Sequence, residues 1–310
     1  MINITGNSRI CWLGDSTVHH GICIDELSRY LSQNISFYNC GVGGTMAYQA
    51  EERLFDDVMM FHPTHTFITF GANEVLTLLN EKTDIKNLSE EGAECFELYR
   101  KSLTKIIRHL KEFSIIPVLV TPYPYDDTSI SDIEINPYAN EGLKLCSQAM
   151  HSIAYDEKCG IIDLNLKFAE VKKLWDAKNI RIYNDRVHPN EVGYRIGARI
   201  VLRELGYGVE IPESPETYFP CPETEKSKRR FKAEEVFRDI QFVKWGIFAY
   251  NKGFGETENV EKLLQMLNNE STADWLKRSI QNYLKYKDKR EFVREEYIKR
   301  CVDLSEEKRN

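Results

Sequence analysis

The stretch RICWLGDSTVHH, residues 9–20, joins an apolar run to a polar turn, and this junction decides the fold. Residues 9–13 are apolar almost throughout, which is typical of a strand that helices cover on both faces. Gly14, Asp15 and Ser16 follow directly, and a helix is expected to begin a few residues later. Two interpretations of Ser16 fit this position: its hydroxyl caps the helix, or it is a nucleophile presented above the sheet.

Four more β-rich runs follow along the chain, at residues 35–39, 65–70, 115–121 and 160–164. Stretches with helical periodicity lie between and after them, at residues 22–33, 48–61, 93–113, 140–157, 166–177 and 190–205. This alternation predicts right-handed crossovers and therefore an α/β fold, a doubly wound parallel sheet in three layers. In such sheets, chemistry gathers beyond the carboxyl ends of the strands.

Composition and charge limit the classes of function. The 310 residues are 42% hydrophobic and carry a net charge of −7, which indicates a soluble globular protein and argues against nucleic acid as the main partner. No run resembles a signal peptide or a membrane span, so a cytoplasmic location without a membrane partner is expected. The eight cysteines contain no CxxC pair and are interpreted as small buried hydrophobes rather than as disulfides or zinc ligands.

The pattern changes after Gly208. Prolines 212, 215, 220 and 222 and a charged run follow, so residues 209–232 are predicted to form a linker or a surface strap between a domain of residues 1–208 and a helical region of residues 233–310. Residues 226–310 carry +5 (20 Lys/Arg against 15 Asp/Glu), whereas the remainder carries −12. The basic tail has three interpretations: it docks on the acidic domain, forms a homo-oligomer interface, or binds an anionic partner, and the first two are favoured.

The nucleophile interpretation of Ser16 requires a base, an acid and donors for an oxyanion. NCGVGGT, residues 39–45, follows the second strand, and its glycines let backbone amides approach a ligand. GANE follows the third strand and brings the amide of Asn73 to the same edge. DRVHP places Asp185 three residues before His188, so the carboxylate can orient the imidazole.

In this order, the four blocks GDS, NCGVGGT, GANE and DRVHP resemble those of the SGNH (GDSL-type) hydrolases, over roughly residues 8–207. The family has a flavodoxin-like α/β fold of about five parallel strands, and its members act as esterases, lipases, thioesterases and carbohydrate O-acetyl esterases. The resemblance implies that Ser16, Asp185 and His188 are the catalytic residues. It also implies an oxyanion hole of the Ser16 and Gly44 amides and the Asn73 side chain, with no cofactor and no metal.

The expected function is serine-dependent hydrolysis of a small acyl ester, with an acetyl group on a carbohydrate or a similar small molecule as substrate. Alternatives with the same triad are a thioesterase, a lysophospholipase or an acyltransferase, and an alternative of another class is a non-catalytic binding or scaffold protein. A dinucleotide loop is disfavoured because Met46 stands where its last glycine is needed. Glu74 stands where the family usually has an aspartate after the asparagine. If this acid braces the loop that carries Asn73, the longer side chain would reposition the brace.

Four further residues are candidates for lining the site. The segment 121–140 leaves the fourth strand, where Tyr123 and Tyr125 either stack on a sugar ring or, as is more common, pack the segment onto the core. His19 and His20 point in different directions, which argues against joint metal ligation. They are interpreted as polar residues at a helix start, with the alternative that one lines the pocket.

Overall fold

The computed structural model describes residues 2–31, 34–79, 90–130 and 132–221, together with Gln265 and Asn268. Apart from these two residues, the helical region predicted after residue 233 and the linker beyond residue 221 lie outside the described residues. Strands and helices alternate along the described chain in the order β1 (Arg9–Gly14), α1 (Ser16–His19), α2 (Ile22–Tyr30), β2 (Ser36–Gly41), α3 (Ala47–Asp57), β3 (His65–Thr69), α4 (Ala72–Leu79), α5 (Glu90–Glu112), β4 (Ile116–Val120), α6 (Ala139–Asp156), β5 (Gly160–Ile162), α7 (Leu164–Asp176) and α8 (Glu191–Glu204).

The five strands pair in the order β2-β1-β3-β4-β5, and every pair is parallel. This is the flavodoxin-like order, so the predicted fold class is confirmed. The chain moves outward from β1 to β2 and then returns to place β3 on the other side of β1. Ligands bind at such a switch point, beyond the carboxyl ends of the strands.

Helices cover both faces of the sheet, because alternate residues of each strand point to opposite sides. Cys11 and Leu13 of β1 belong to one buried cluster, which packs against α3, α4, α5 and α6. Ile10 and Trp12 belong to the other, which packs against α2, α7 and α8. The result is the three-layer arrangement that the apolar strands predict.

The sequence prediction lacks two observed helices: the short α1, which begins at Ser16 before the first predicted helix, and α4, which lies where no helix is predicted between residues 62 and 92. The α4 sequence ANEVLTLL holds a nearly continuous apolar run instead of an apolar face with helical periodicity. The helix begins directly after Gly71, whose φ of 134° turns the chain away from β3. This start places Asn73 in its first turn, at the edge of the sheet.

Residues 209–221, here called the strap, lie across α2, α7 and α8. Trp175 Nε1 of α7 donates a hydrogen bond to the Pro212 carbonyl at 3.0 Å. Arg199 of α8 and Arg29 of α2 donate to the carbonyls of Phe219 and Cys221, each at 2.6 Å. The described part of the predicted linker is thus held on the surface of the α/β domain.

Within the described ranges, no helix is both long enough and apolar enough to cross a lipid bilayer. The described cysteines carry free thiols, and four of them are buried in the core, at positions 11, 23, 40 and 146. Their burial agrees with the interpretation of these residues as small hydrophobes.

Candidate active site

Ser16 is the first residue of α1 and lies directly beyond β1. The N-cap of this helix is Asp15, whose Oδ1 accepts hydrogen bonds from the Thr17 amide at 2.9 Å and the Thr17 hydroxyl at 2.7 Å. Because Asp15 caps the helix, the Ser16 hydroxyl is not required for capping. Ser16 Oγ instead lies 2.7 Å from His188 Nε2.

Asp185 and His188 lie in the turn that precedes α8, here called the 185–188 turn. His188 Nδ1 is 2.7 Å from Asp185 Oδ2. The other carboxylate oxygen accepts hydrogen bonds from the amides of Val187 and His188, each at 2.6 Å. One carboxylate therefore orients both the imidazole ring and the backbone that carries it. The three predicted catalytic side chains form one hydrogen-bonded chain, although Ser16 and His188 are 172 residues apart.

The hydrogen bonds among Ser16, His188 and Asp185 favour a basic imidazole at His188. The hydrogen bond with Asp185 raises the pKa of His188 above its usual value, and it outweighs burial, which lowers that pKa. Burial alone would raise the pKa of Asp185, but hydrogen bonds from the His188 ring and from the two turn amides lower it well below its usual range. Asp185 is therefore ionised at neutral pH, and His188 is suited to accept a proton from a hydroxyl.

Gly44 and Asn73 follow β2 and β3 at the same edge of the sheet. Gly44 has a φ of 75°, in the left-handed region that glycine adopts without steric cost. Asn73 Nδ2 donates a hydrogen bond to the Thr45 carbonyl at 2.8 Å, which holds this amide against the loop that contains Gly44. A side-chain amide carries two N–H groups, so a second donor remains for a ligand.

Glu74 braces the same loop. Its Oε1 accepts a hydrogen bond from the Ala47 amide at 2.8 Å, which joins the first turns of α4 and α3. Burial raises the pKa of Glu74 to about 7, although the bond from Ala47 acts in the opposite direction. The departure from aspartate therefore leaves an acid in contact with the loop and next to Asn73.

Arg53 of α3 is a residue of the site that the sequence analysis does not identify. Its side chain is fully buried, and its guanidinium donates hydrogen bonds to the carbonyls of Gly14 at 2.9 Å and Cys40 at 2.8 Å. It thereby joins the ends of β1 and β2. The available signal is an arginine at helical spacing from the apolar residues Ala50 and Leu54.

His19 and His20 lie in different environments. The ring of His20 packs edge to face against His188, with 5.4 Å between the ring centroids. His19 Nδ1 lies 3.1 Å from the Gly41 carbonyl, at the end of β2. His20 is thus the member of the pair that borders the site, as one of the two interpretations expects.

Tyr123 and Tyr125 are both buried, with 6% and 5% of their surface exposed. Tyr123 packs edge to face against Phe168 of α7, with 5.0 Å between the ring centroids. The Tyr125 hydroxyl donates a hydrogen bond to the Glu134 carbonyl at 3.3 Å. This burial favours the interpretation that both rings pack the 121–140 segment onto the core, and it leaves little ring surface for stacking on a sugar.

A small cavity with a largely apolar lining is bordered by Thr17, Ala72 and Val187, which are adjacent in sequence to Ser16, Asn73 and His188. Its free volume of about 10 Å³ is close to the size of one water molecule. Its walls come from the start of α1, from α4, from the 121–140 segment, from α6 and from the 185–188 turn. The lining residues are Thr17, Ala72, Val75, Leu76, Tyr123, Pro124, Tyr125, Ala139, Leu143 and Val187.

A serine bonded to a histidine that is itself bonded to an aspartate, at the switch point of a parallel sheet, is the arrangement of a serine hydrolase. Residues 12–196 match the model of the GDSL-like lipase/acylhydrolase family, which is more than half of the chain, and the chain belongs to this family. The resemblance found in the sequence is confirmed, and so is the expectation of a serine ester hydrolase.

Individual relatives are distant. The chain is 26% identical to an acetylxylan esterase of Geobacillus stearothermophilus over 179 residues, which are 57% of this chain and 75% of that protein. A solved structure of an acetylxylan esterase from the same organism has a TM-score of 0.53 at 20% identity, and the match covers 66% of this chain and 97% of that one. A gut microbial diltiazem-metabolizing enzyme matches 98% of this chain and 96% of its own, with a TM-score of 0.67 and 16% identity.

Proposed function

We propose that this protein is an esterase that removes an acetyl group from a carbohydrate or a similar small alcohol, with Ser16 as its nucleophile. The observation that carries the proposal is the hydrogen-bonded chain from Ser16 Oγ through His188 to Asp185, with both links at 2.7 Å. The names of the acetylxylan esterases similar to this chain support the choice of acetyl and carbohydrate.

In the acylation step, Ser16 Oγ attacks the carbonyl carbon of the ester while His188 Nε2 accepts the hydroxyl proton. Asp185 holds the ring and stabilises the imidazolium that forms. The amides of Ser16 and Gly44 and the side chain of Asn73 donate hydrogen bonds to the oxyanion of the tetrahedral intermediate. His188 then protonates the departing alcohol oxygen, and an acyl-serine remains.

In the deacylation step, water takes the place of the alcohol. His188 Nε2 removes a proton from the water as its oxygen attacks the acyl carbonyl, and the oxyanion is held by the same three donors. The proton returns to Ser16 Oγ when the carbon–oxygen bond to serine breaks. The products are a carboxylic acid and the free enzyme.

The apolar cavity beside the site supports a short acyl group. Thr17, Ala72 and Val187, which border it, are the sequence neighbours of Ser16, Asn73 and His188. The cavity is small and its lining is largely apolar, which suits the methyl of an acetyl group. The small size of the cavity favours acetyl esters over the long acyl chains of lysophospholipids.

The test is hydrolysis of p-nitrophenyl acetate, butyrate and octanoate by the wild type and by Ser16→Ala. We expect acetate to be the best substrate, and we expect Ser16→Ala to lower kcat at least about 1000-fold because the nucleophile is lost. Ser28→Ala, which changes a serine of α2 bonded to the Asp25 carbonyl, is the matched control and should keep wild-type activity. Equal rates for wild type and Ser16→Ala would refute the serine mechanism, and a preference for octanoate would refute the acetyl assignment.

The carbohydrate part of the proposal needs its own measurement. Acetate release from acetylated xylose and from acetylated xylo-oligosaccharides, followed by chromatography, should exceed release from acetylated aliphatic alcohols of similar size. Equal release of acetate from both groups of substrates would indicate an acetyl esterase without a preference for carbohydrates. That result would contradict the proposed carbohydrate substrate.

A further inference from the structure

Arg186 belongs to the 185–188 turn, yet its side chain is buried, with 3% of its surface exposed. Its guanidinium donates hydrogen bonds to three backbone carbonyls of the 121–140 segment: Asp126 at 2.9 Å, Ser129 at 3.0 Å and Ile133 at 2.7 Å. In return, the Asp126 amide donates to the Arg186 carbonyl at 2.8 Å. Four hydrogen bonds therefore join the turn to this segment.

Arg181 makes a second link between the same two regions. Its Nη2 donates a hydrogen bond to the Asp185 carbonyl at 2.9 Å, and its Nε donates to Asp126 Oδ2 at 3.2 Å. The Asp126 carboxylate is fully buried, and its other oxygen pairs with Lys172 Nζ at 2.9 Å. Burial alone would raise the pKa of Asp126, but hydrogen bonds from Lys172 and Ser129 lower it below its usual value, so the carboxylate is ionised.

These contacts meet at the backbone of Asp185, the residue that orients His188. Arg181 holds the Asp185 carbonyl, and the next residue, Arg186, anchors the turn to the Asp126 carbonyl. The segment that they grip also carries Pro124 and Tyr125, which line the apolar cavity. One cluster thus fixes the base and one wall of the cavity relative to each other.

We propose that Asp126, Arg181 and Arg186, here called the turn clamp, are positioning residues for the general base. They act through the 185–188 turn, and they keep His188 Nε2 opposite Ser16 Oγ. The inference deepens the proposed function and rests on it for its kinetic tests. A misplacement of about 1 Å between reacting groups can cost about 100-fold in rate, so loosening the turn should reduce turnover without removing any group that reacts.

The variant that tests the clamp is Arg181→Met, because Arg181 is partly exposed and its loss threatens folding less than that of the buried Arg186. We expect kcat to fall about 10-fold or more with KM within about 2-fold, since ester binding is left intact. We also expect the acid limb of kcat/KM to move to lower pH, because a looser bond with Asp185 raises the pKa of His188 less. Arg181→Lys retains the charge and one donor and should lose less activity.

Arg108→Met is the matched control. It removes an arginine of α5 that pairs with Glu157 on the surface, and it should keep wild-type kcat and pH profile. Thermal unfolding of each variant separates a positioning effect from lost folded protein. The clamp is refuted if Arg181→Met keeps the wild-type kcat, or if its activity falls only as far as its folded fraction does.

A measurement without substrate separates the clamp from the proposed function. The proton on His188 Nδ1, in its bond to Asp185, is expected to give a downfield proton NMR signal in the resting protein that Asp185→Asn lacks. Arg181→Met should shift or broaden this signal, and Arg108→Met should not. An unchanged signal in Arg181→Met refutes the clamp whether or not the protein hydrolyses an ester. A changed signal in a protein that hydrolyses no ester supports the clamp and refutes the proposed function alone.

Discussion

At the scale of single residues, Asp15 caps α1 and Ser16 bonds His188, although a serine could also have capped the helix. The Asp15 carboxylate caps α1 through the amide and the hydroxyl of Thr17. The Ser16 hydroxyl is then available to His188. This division gives a physical reason for an acid directly before the proposed nucleophile.

The pKa of His188 makes a prediction for the acid side of the pH profile. Only the neutral imidazole accepts a proton from Ser16, and the bond with Asp185 raises the pKa of the ring above its ordinary value of 6.5. We therefore expect kcat/KM for p-nitrophenyl acetate to fall with decreasing pH through an apparent pKa above 6.5.

Asp185→Asn tests the cause of this shift. The variant should move the acid limb to lower pH and should lower kcat by about 10,000-fold, because the ring loses the carboxylate that orients it. The exposed Asp156→Asn serves as the control and should leave the profile unchanged. An acid limb at the wild-type pH in Asp185→Asn would contradict the assignment of the raised pKa to this hydrogen bond.

At the scale of elements, the strands could be predicted because a strand covered on both faces must be apolar along its length. The run 9–13 thus becomes β1, whose six residues extend the prediction by Gly14. The proposed catalytic residues could be predicted because each short block follows a strand or precedes a helix, and because the four blocks in this order resemble those of the SGNH hydrolases. The turn clamp could not, because Arg186 binds backbone carbonyls 53 to 60 residues away, and a carbonyl acceptor has no sequence signature.

The approach of β2 to α1 makes a prediction at this scale. A Cβ on Gly41 would lie 2.4 Å from the His19 amide nitrogen and 2.8 Å from the Val18 carbonyl carbon, and backbone atoms cannot rotate away. We expect Gly41→Ala to displace α1, which carries Ser16, and to lower kcat about 10-fold or more together with the melting temperature.

Gly208→Ala is the matched control, because no heavy atom outside its chain neighbours lies within 4 Å of the added Cβ among the described residues. It should leave kcat and the melting temperature unchanged. Wild-type values of both quantities in Gly41→Ala would show that α1 tolerates a larger distance from β2 than the structure gives.

At the scale of the whole molecule, a buried charge cluster joins α2 to α8 on one face of the sheet. Glu26 is fully buried, and its two oxygens accept hydrogen bonds from Arg195 at 2.7 Å and Arg199 at 3.0 Å. Arg199 also binds the strap through the Phe219 carbonyl. The Glu26 carboxylate therefore holds α2 against α8 and, through Arg199, also holds the strap.

Removal of this carboxylate should destabilise the fold. We expect Glu26→Gln to lower the free energy of unfolding by about 3 kcal/mol, because the buried Arg199 loses its carboxylate partner and Arg195 keeps only those of Asp25 and Glu191. Urea unfolding followed by circular dichroism measures the change. Glu97→Gln, in an exposed pair with Lys101, is the control and should unfold at the wild-type midpoint. Equal midpoints for the two variants would contradict the role of Glu26.

Arg53 has a consequence for how the chain reaches its native state. Its guanidinium accommodates only the carbonyl pair that β1 and β2 offer when Gly14 lies beside Gly41. A slip of one residue between these strands turns alternate carbonyls to the other side, so the buried guanidinium loses a strand carbonyl and keeps the carboxylate of Asp57 on its own helix. The hydrogen bonds of Arg53 therefore favour the native register of β1 and β2 at the edge of the sheet from which Ser16 emerges.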